Sequence, residues 1–215
     1  LTELFEQAAY YSMASFIVIY LGRLGLGDYW PSTLNSVLWF LVYFLPILSG
    51  AIADRIGFRR SLLLACVLLV GGYLLMGTPV WFGGHVLALQ PGKEVTAGVG
   101  VVLPVSLAIL LIGIGGSFVK PCIAGTVQRT HMGNATLAFA IFYMVINVGS
   151  VFGRLAGFFV RTKLGRLDTI FIVSMVAAVL AFLTVLLRYR DPETVADPAK
   201  PQRSLGQILL GMVQV

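Results

Sequence analysis

Six long apolar stretches alternate with short polar segments along the chain, at roughly 1–22, 32–53, 61–80, 99–127, 135–160 and 168–188. Each approaches or exceeds the ~20 residues that an α-helix needs to cross a hydrocarbon core about 30 Å thick. Strands of a membrane barrel would alternate apolar and polar positions, so these runs predict spanning helices and exclude a porin-like barrel. After the sixth run, residues 188–203 are charged and proline-rich, and residues 204–215 begin an amphipathic segment. The first run begins abruptly at Leu1, so the native chain is expected to start upstream. The expected organisation is one half of a longer protein. A six-helix bundle occupies residues 1–190, and a linker with the start of a further segment occupies residues 191–215.

Composition agrees with this class. Hydrophobic residues make up 58% of the 215 positions and charged residues 11%, where a soluble domain carries roughly 25% charged residues. The net charge of +6 then reads as basic loops on the cytoplasmic side, not as a nucleic-acid surface. With the N-terminus inside, Arg55, Arg59, Arg60, Arg129, Arg188, Arg190, Lys200 and Arg203 are cytoplasmic. Arg23, Lys93, Arg161, Lys163 and Arg166 are outside. The segment 161–168 faintly resembles the loop between the second and third spans, as an inverted three-plus-three repeat would require. Cys66 and Cys122 lie in apolar context and point to neither a disulfide nor a metal site. His85 and His131 lie in loops, with no spacing for a metal ligand set or a catalytic triad, so no enzyme and no cofactor is expected.

Against this background the polar residues inside the spans are the candidates for function. Lys120, followed by Pro121, directly continues the uncharged run 99–118. A cation within such a segment costs ~2.5–3.5 kcal/mol on insertion scales, so it is kept where it faces a polar cavity or a counter-charge, or where it snorkels to an interface. Pro121 removes one backbone hydrogen bond and is expected to kink the helix. On the first span Glu3, Glu6 and Tyr10 share one helical face. Two carboxylates one turn apart in a low dielectric cannot both ionise cheaply, which suits proton uptake and release near neutral pH. The alternative is a pair of helix-start acids in the headgroup region, favoured by the helix dipole. On the fifth span Tyr143, Asn147, Ser150 and Arg154 form a polar stripe that lines a cavity or a helix seam. Asn147 is alternatively interhelical glue worth about 1 kcal/mol, and Arg154 alternatively snorkels.

The second span ends in Gly50, Asp54, Arg55, Gly57, Arg59 and Arg60, spaced G-x-x-x-D-R-x-G-x-R-R. Asp54 there can pair with an arginine or cap the next helix, and Gly57 allows a tight turn. The pattern resembles the loop signature of the major facilitator superfamily, which implies that Asp54, Arg55, Gly57, Arg59 and Arg60 form a cytoplasmic conformational latch. Four further segments resemble one branch of that superfamily, the proton-dependent oligopeptide transporters. Glu3-Leu-Phe-Glu6-Gln7-Ala8-Ala9-Tyr10-Tyr11 is similar to E-x-x-E-R-F-x-Y-Y. Residues 42–46, with Tyr43 and Pro46, are similar to V-Y-x-x-P. Gly116 to Pro121 resembles G-x-x-x-K-P, and Phe142 to Ser150 resembles F-Y-x-x-I-N-x-G-S.

The resemblance implies the fold of the N-terminal six-helix half of such a transporter and, for the whole protein, symport of protons with di- and tripeptides by alternating access. It implies that Glu3, Glu6 and Lys120 couple protons, with Lys120 exchanging between Glu6 and a peptide carboxylate. Tyr11, Tyr43, Lys120 and Asn147 would line the peptide site. Together with Glu3 and Glu6 they are expected to face one polar cavity. Partners are then protons, small peptides, the lipid of a plasma or inner membrane and the C-terminal half of the same transporter. The chain departs from the pattern at Gln7 and Ala14, where arginines are usual, and at Ala8, where phenylalanine is usual. Those departures leave open altered coupling or another cargo, such as nitrate, a modified amino acid or a sugar. A scaffold or receptor relative without transport is the third reading.

Overall fold

Local chemistry breaks the first two spans and leaves the others whole. The computed structural model describes residues 1–88, 96–130 and 134–192; His131 and the linker expected beyond residue 192 lie outside them. The first span is a pair of helices, α1 (Thr2–Ala14) and α2 (Ile17–Arg23). At the break Ser15 donates to the Tyr11 carbonyl at 2.9 Å, a local side-chain bond that competes with the helical ladder and bends it. The second span is α3 (Trp30–Phe44) and α4 (Pro46–Ile56), bent by 47°. Pro46 has no N–H to continue α3, yet suits the first turn of α4.

The remaining spans are α5 (Phe58–Trp81), α6 (Val99–Thr130), α7 (Ala135–Phe159) and α8 (Thr169–Arg188), with a π-helical turn at Val160–Leu164 closing α7. Among the described residues, four helices are long and apolar enough to cross a membrane by themselves, and the bent α3–α4 pair taken as one span makes five. The α1–α2 pair falls outside that measure because α1 is 13 residues long, ends at the break and carries Glu3 and Glu6. Pro121 does not interrupt its helix: α6 stays helical through both Pro104 and Pro121.

Small residues set the packing. Along α7, Gly149, Gly153 and Gly157 bring its backbone against α1. A Cβ at 149 would lie 2.7 Å from the Leu4 carbonyl oxygen, one at 153 would overlap the Ala8 carbonyl, and one at 157 would lie 2.9 Å from the Ser12 carbonyl. Side chains with a Cβ cannot approach so closely, which is why small residues recur at membrane helix seams. On the opposite flank of α1, the Ser12 and Ser174 hydroxyls share a hydrogen bond of 2.6 Å and join it to α8. Ser49 donates to the Ser117 carbonyl at 2.7 Å, tying α4 to α6. Tyr20 donates to the Met76 carbonyl at 2.8 Å, tying α2 to α5. The interior therefore holds α1 between α7 and α8, and α6 against α3, α4 and α5.

The two ends of the bundle are fastened differently. At one end Arg129 of α6 pairs with Asp54 of α4 at 2.8 Å, and Thr126 hydrogen-bonds Tyr189. At the other end the Trp81 indole and the Arg166 guanidinium both donate to the buried Asp168 carboxylate, at 3.0 and 2.8 Å. The 54–60 and 161–168 segments thus lie at opposite ends of α5.

Candidate functional site

The first two turns of α1 place Glu3, Glu6 and Gln7 together, and α7 seals them from one side at Gly149, where a Cβ would come within 2.9 Å of the Gln7 Cβ. Glu3, Glu6 and Gln7 keep only 3%, 4% and 2% of their surface exposed. That burial is not the state of solvated helix-start acids. The Gln7 amide nitrogen donates to Glu3 Oε1 at 2.9 Å and to Glu6 Oε2 at 3.0 Å. One amide carries two hydrogens, so it serves both carboxyl groups at once. The other Glu3 oxygen, Oε2, is buried without a hydrogen-bond partner. Glu3 also lines a cavity of about 300 Å³ walled by Thr2, Ile123, Val127, Phe142 and Tyr189, at the Asp54–Arg129 end of the bundle.

Lys120, two-thirds of the way along α6, acts electrostatically on both carboxyl groups. Its ammonium also lies 5.1 Å from the centre of the Tyr43 ring, a cation–π contact between α6 and α3. From there the aromatic rings form a continuous row. Tyr43 stacks on Trp39 with centroids 5.3 Å apart, Trp39 meets Tyr10 edge-on at 6.2 Å, and Tyr10 meets Tyr11 edge-on at 5.4 Å. Arg154 of α7 closes the row, its guanidinium 4.8 Å from the Tyr11 centroid. The row therefore presents aromatic faces with a cation at each end.

The structure brings the expected residues together in two groups. Glu3 and Glu6 meet through Gln7, and Lys120 joins Tyr43, but Tyr11, Tyr43, Lys120 and Asn147 are not walls of the cavity that Glu3 lines. Asn147 is exposed, and its amide donates to the Tyr143 carbonyl one turn back at 2.9 Å. That part of the polar stripe is satisfied within its own helix. At the 54–60 segment Gly57, with φ +93°, separates α4 from α5. Asp54 pairs with Arg129 of α6, whose guanidinium also covers the Phe58 ring at 4.4 Å. The start of α5 is capped not by Asp54 but by Asp191, which accepts from the Arg59 N–H at 2.7 Å. The Arg59 guanidinium in turn donates to the Leu186 carbonyl at 3.0 Å, while Arg55 and Arg60 are exposed.

Gln7, Trp39, Arg129 and Asp191 are the site residues that sequence reasoning did not assign. The i, i+4 spacing from Glu3 marks Gln7 as a possible donor, and Trp39 lies one turn before Tyr43. No spacing rule joins Arg129 or Asp191 to the second loop.

The spanning bundle with its intramembrane charges defines a multi-pass membrane protein of the major facilitator type. No protein-family model matches the chain. The chain is 31% identical over 156 residues to peptide transporter family 1 of Drosophila melanogaster, a match that takes in 69% of this chain and 19% of that protein. It is 29% identical over 171 residues to dipeptide and tripeptide permease A of Citrobacter koseri, covering 76% of this chain and 30% of the permease. The di-/tripeptide transporter of Lactococcus lactis is 28% identical over 219 residues, covering 94% and 39%. Among solved structures, the crystal structure of tetrameric PepTSo2 superposes with a TM-score of 0.68 at 25% identity, over 86% of this chain and 38% of that one. A structure reported for substrate recognition in proton-dependent oligopeptide transporters superposes with a TM-score of 0.71 at 23% identity, over 99% and 44%. The chain belongs to the proton-dependent oligopeptide transporter family, and it spans less than half the length of these relatives.

Proposed function

We propose that the chain is the N-terminal six-helix half of a proton-coupled symporter of di- and tripeptides, with its N-terminus on the cytoplasmic side of a plasma or inner membrane. The observation that carries this reading is the buried Glu3–Gln7–Glu6 group acting together with Lys120. Intramembrane ionisable groups are costly and are kept where they move or bind charge. Lys120 contacts both systems the reaction needs, the acid pair electrostatically and the aromatic row through Tyr43. Exchange of its charge between Glu6 and a peptide carboxylate would link the two fluxes. Tyr11 and Tyr43, with Arg154, offer the surface against which a peptide packs, and Asn147 would reach it after turning away from Tyr143. Asp54, Arg55, Gly57, Arg59 and Arg60, now with Arg129, would form the latch that opens as the two halves rock. Peptide names among the relatives favour this cargo over nitrate, a sugar or a modified amino acid, and favour transport over a scaffold or an enzyme.

The test is uptake by proteoliposomes holding the full-length protein that contains this chain. An inward pH gradient should drive accumulation of a mixed dipeptide pool, and collapsing the gradient with a protonophore should abolish it. Peptide accumulation that ignores the gradient, or none under any gradient, contradicts the reading.

A further inference from the structure

The Gln7 amide is shared between two acids, and this constrains how protons occupy the pair. Its two bonds, at 2.9 and 3.0 Å, keep the accepting oxygens of Glu3 and Glu6 within about 6 Å of each other. Charges so close in a water-poor interior interact strongly, because little dielectric screens them. The glutamine carries no charge, so it orients both groups without neutralising either. Among the described residues, the charged group that acts on both members of the pair is Lys120 from α6. Glu6 in turn acts on Tyr10 of α1 and on Tyr73 and Cys66 of α5. A single nearby ammonium matches one carboxylate, not two.

We infer that Gln7 is a positioning residue that binds Glu3 and Glu6 into one proton-sharing unit. The two carboxyl groups then titrate together, and Glu3, whose Oε2 is buried without a hydrogen-bond partner, also lines the cavity beside Tyr189. Strongly interacting acids lose protons in steps that belong to the pair and not to either residue. The neutral clamp sets the strength of that interaction by fixing the separation, and it donates hydrogen bonds that favour the ionised form of whichever acid is charged. The inference rests on the proton-coupling reading for its function, but the clamp itself is a property of the buried group.

Infrared difference spectra of the purified full-length protein, recorded across a pH series, test it. The C=O stretch of the protonated carboxyl is assigned by its loss in Glu6→Gln. Gln7→Leu keeps the bulk of the side chain and removes both donors. It should shift this band and move its midpoint to higher pH by about one unit, since a hydrogen bond to a charged group is worth that much or more. In protein with native Gln7, Glu3→Gln should also move the midpoint of the Glu6 band, because the two titrate as one. That second measurement stands even where Gln7→Leu fails to fold. A folded Gln7→Leu protein with band and midpoint unchanged overturns the inference, as does a Glu6 band indifferent to Glu3→Gln. If the bands behave as expected while uptake ignores the pH gradient, the clamp stands and the transport reading falls. The reverse pattern leaves transport standing and removes the clamp.

Discussion

At Gln7 a neutral amide stands between two acids, and the ammonium that acts on them from α6 also rests on the Tyr43 ring. A fixed positive charge at that position would change the balance directly. Gln7→Arg should favour the ionised acids and move the pH optimum of uptake to more acidic values by about one unit, readable as a pH profile of dipeptide uptake. An unchanged optimum would mean that position 7 does not act on the coupling acids. The acid pair itself was legible from i, i+3 spacing in an apolar run. The role of Gln7 was not, because an amide can face solvent, its own backbone or a neighbour, and the wall that turns it inward is supplied by Gly149, 142 positions away. The contact of Lys120 with Tyr43 was likewise out of reach, since no periodicity links α6 to α3. At Asn147 spacing gives the face of the helix, and the Tyr143 carbonyl takes its amide hydrogen bond.

The elements show the same division between local and distant causes. The α3–α4 bend could be anticipated at Pro46, a residue without an N–H. The break between α1 and α2 has no proline, and the Ser15 hydroxyl bonded to Tyr11 is too common a feature to predict it. Pro121 removes one backbone bond, and α6 continues through it from Val99 to Thr130. The seam between α1 and α7 depends on the absence of side chains at positions 149, 153 and 157. Gly153→Leu would drive a branched side chain into the Ala8 carbonyl and the Ser12 N–H. Overpacking of a tight interior costs ~1–3 kcal/mol, and more where backbone must move, so a loss of about 3 kcal/mol or more is expected. A clearly lowered thermal midpoint in detergent would show it. A midpoint equal to wild type would mean that the seam is looser than drawn, and that Gln7 is not held by α7.

For the whole molecule, hydropathy was enough to give the helical membrane class, because lipid requires every backbone group to be bonded within its segment. It could not give the order of neighbours, which the glycine seam and the serine pair at 12 and 174 set. Nor could it place the two fastened ends. The Asp54–Arg129 pair has side chains 58% and 38% exposed, and pairs of that kind contribute roughly 0–1 kcal/mol. A fastening that weak suits the proposed latch, which would open in each transport cycle. Proton coupling is the central claim of the proposal, made for this half acting with a C-terminal half. The most direct measurement compares two assays on the full-length protein in proteoliposomes: dipeptide accumulation driven by a pH gradient, and peptide counterflow, which needs no net proton movement. In Glu6→Gln, where a neutral group can neither take up nor release a proton, and in Lys120→Ala, gradient-driven accumulation should fall to background while counterflow persists. Full gradient-driven accumulation in both variants would contradict the account.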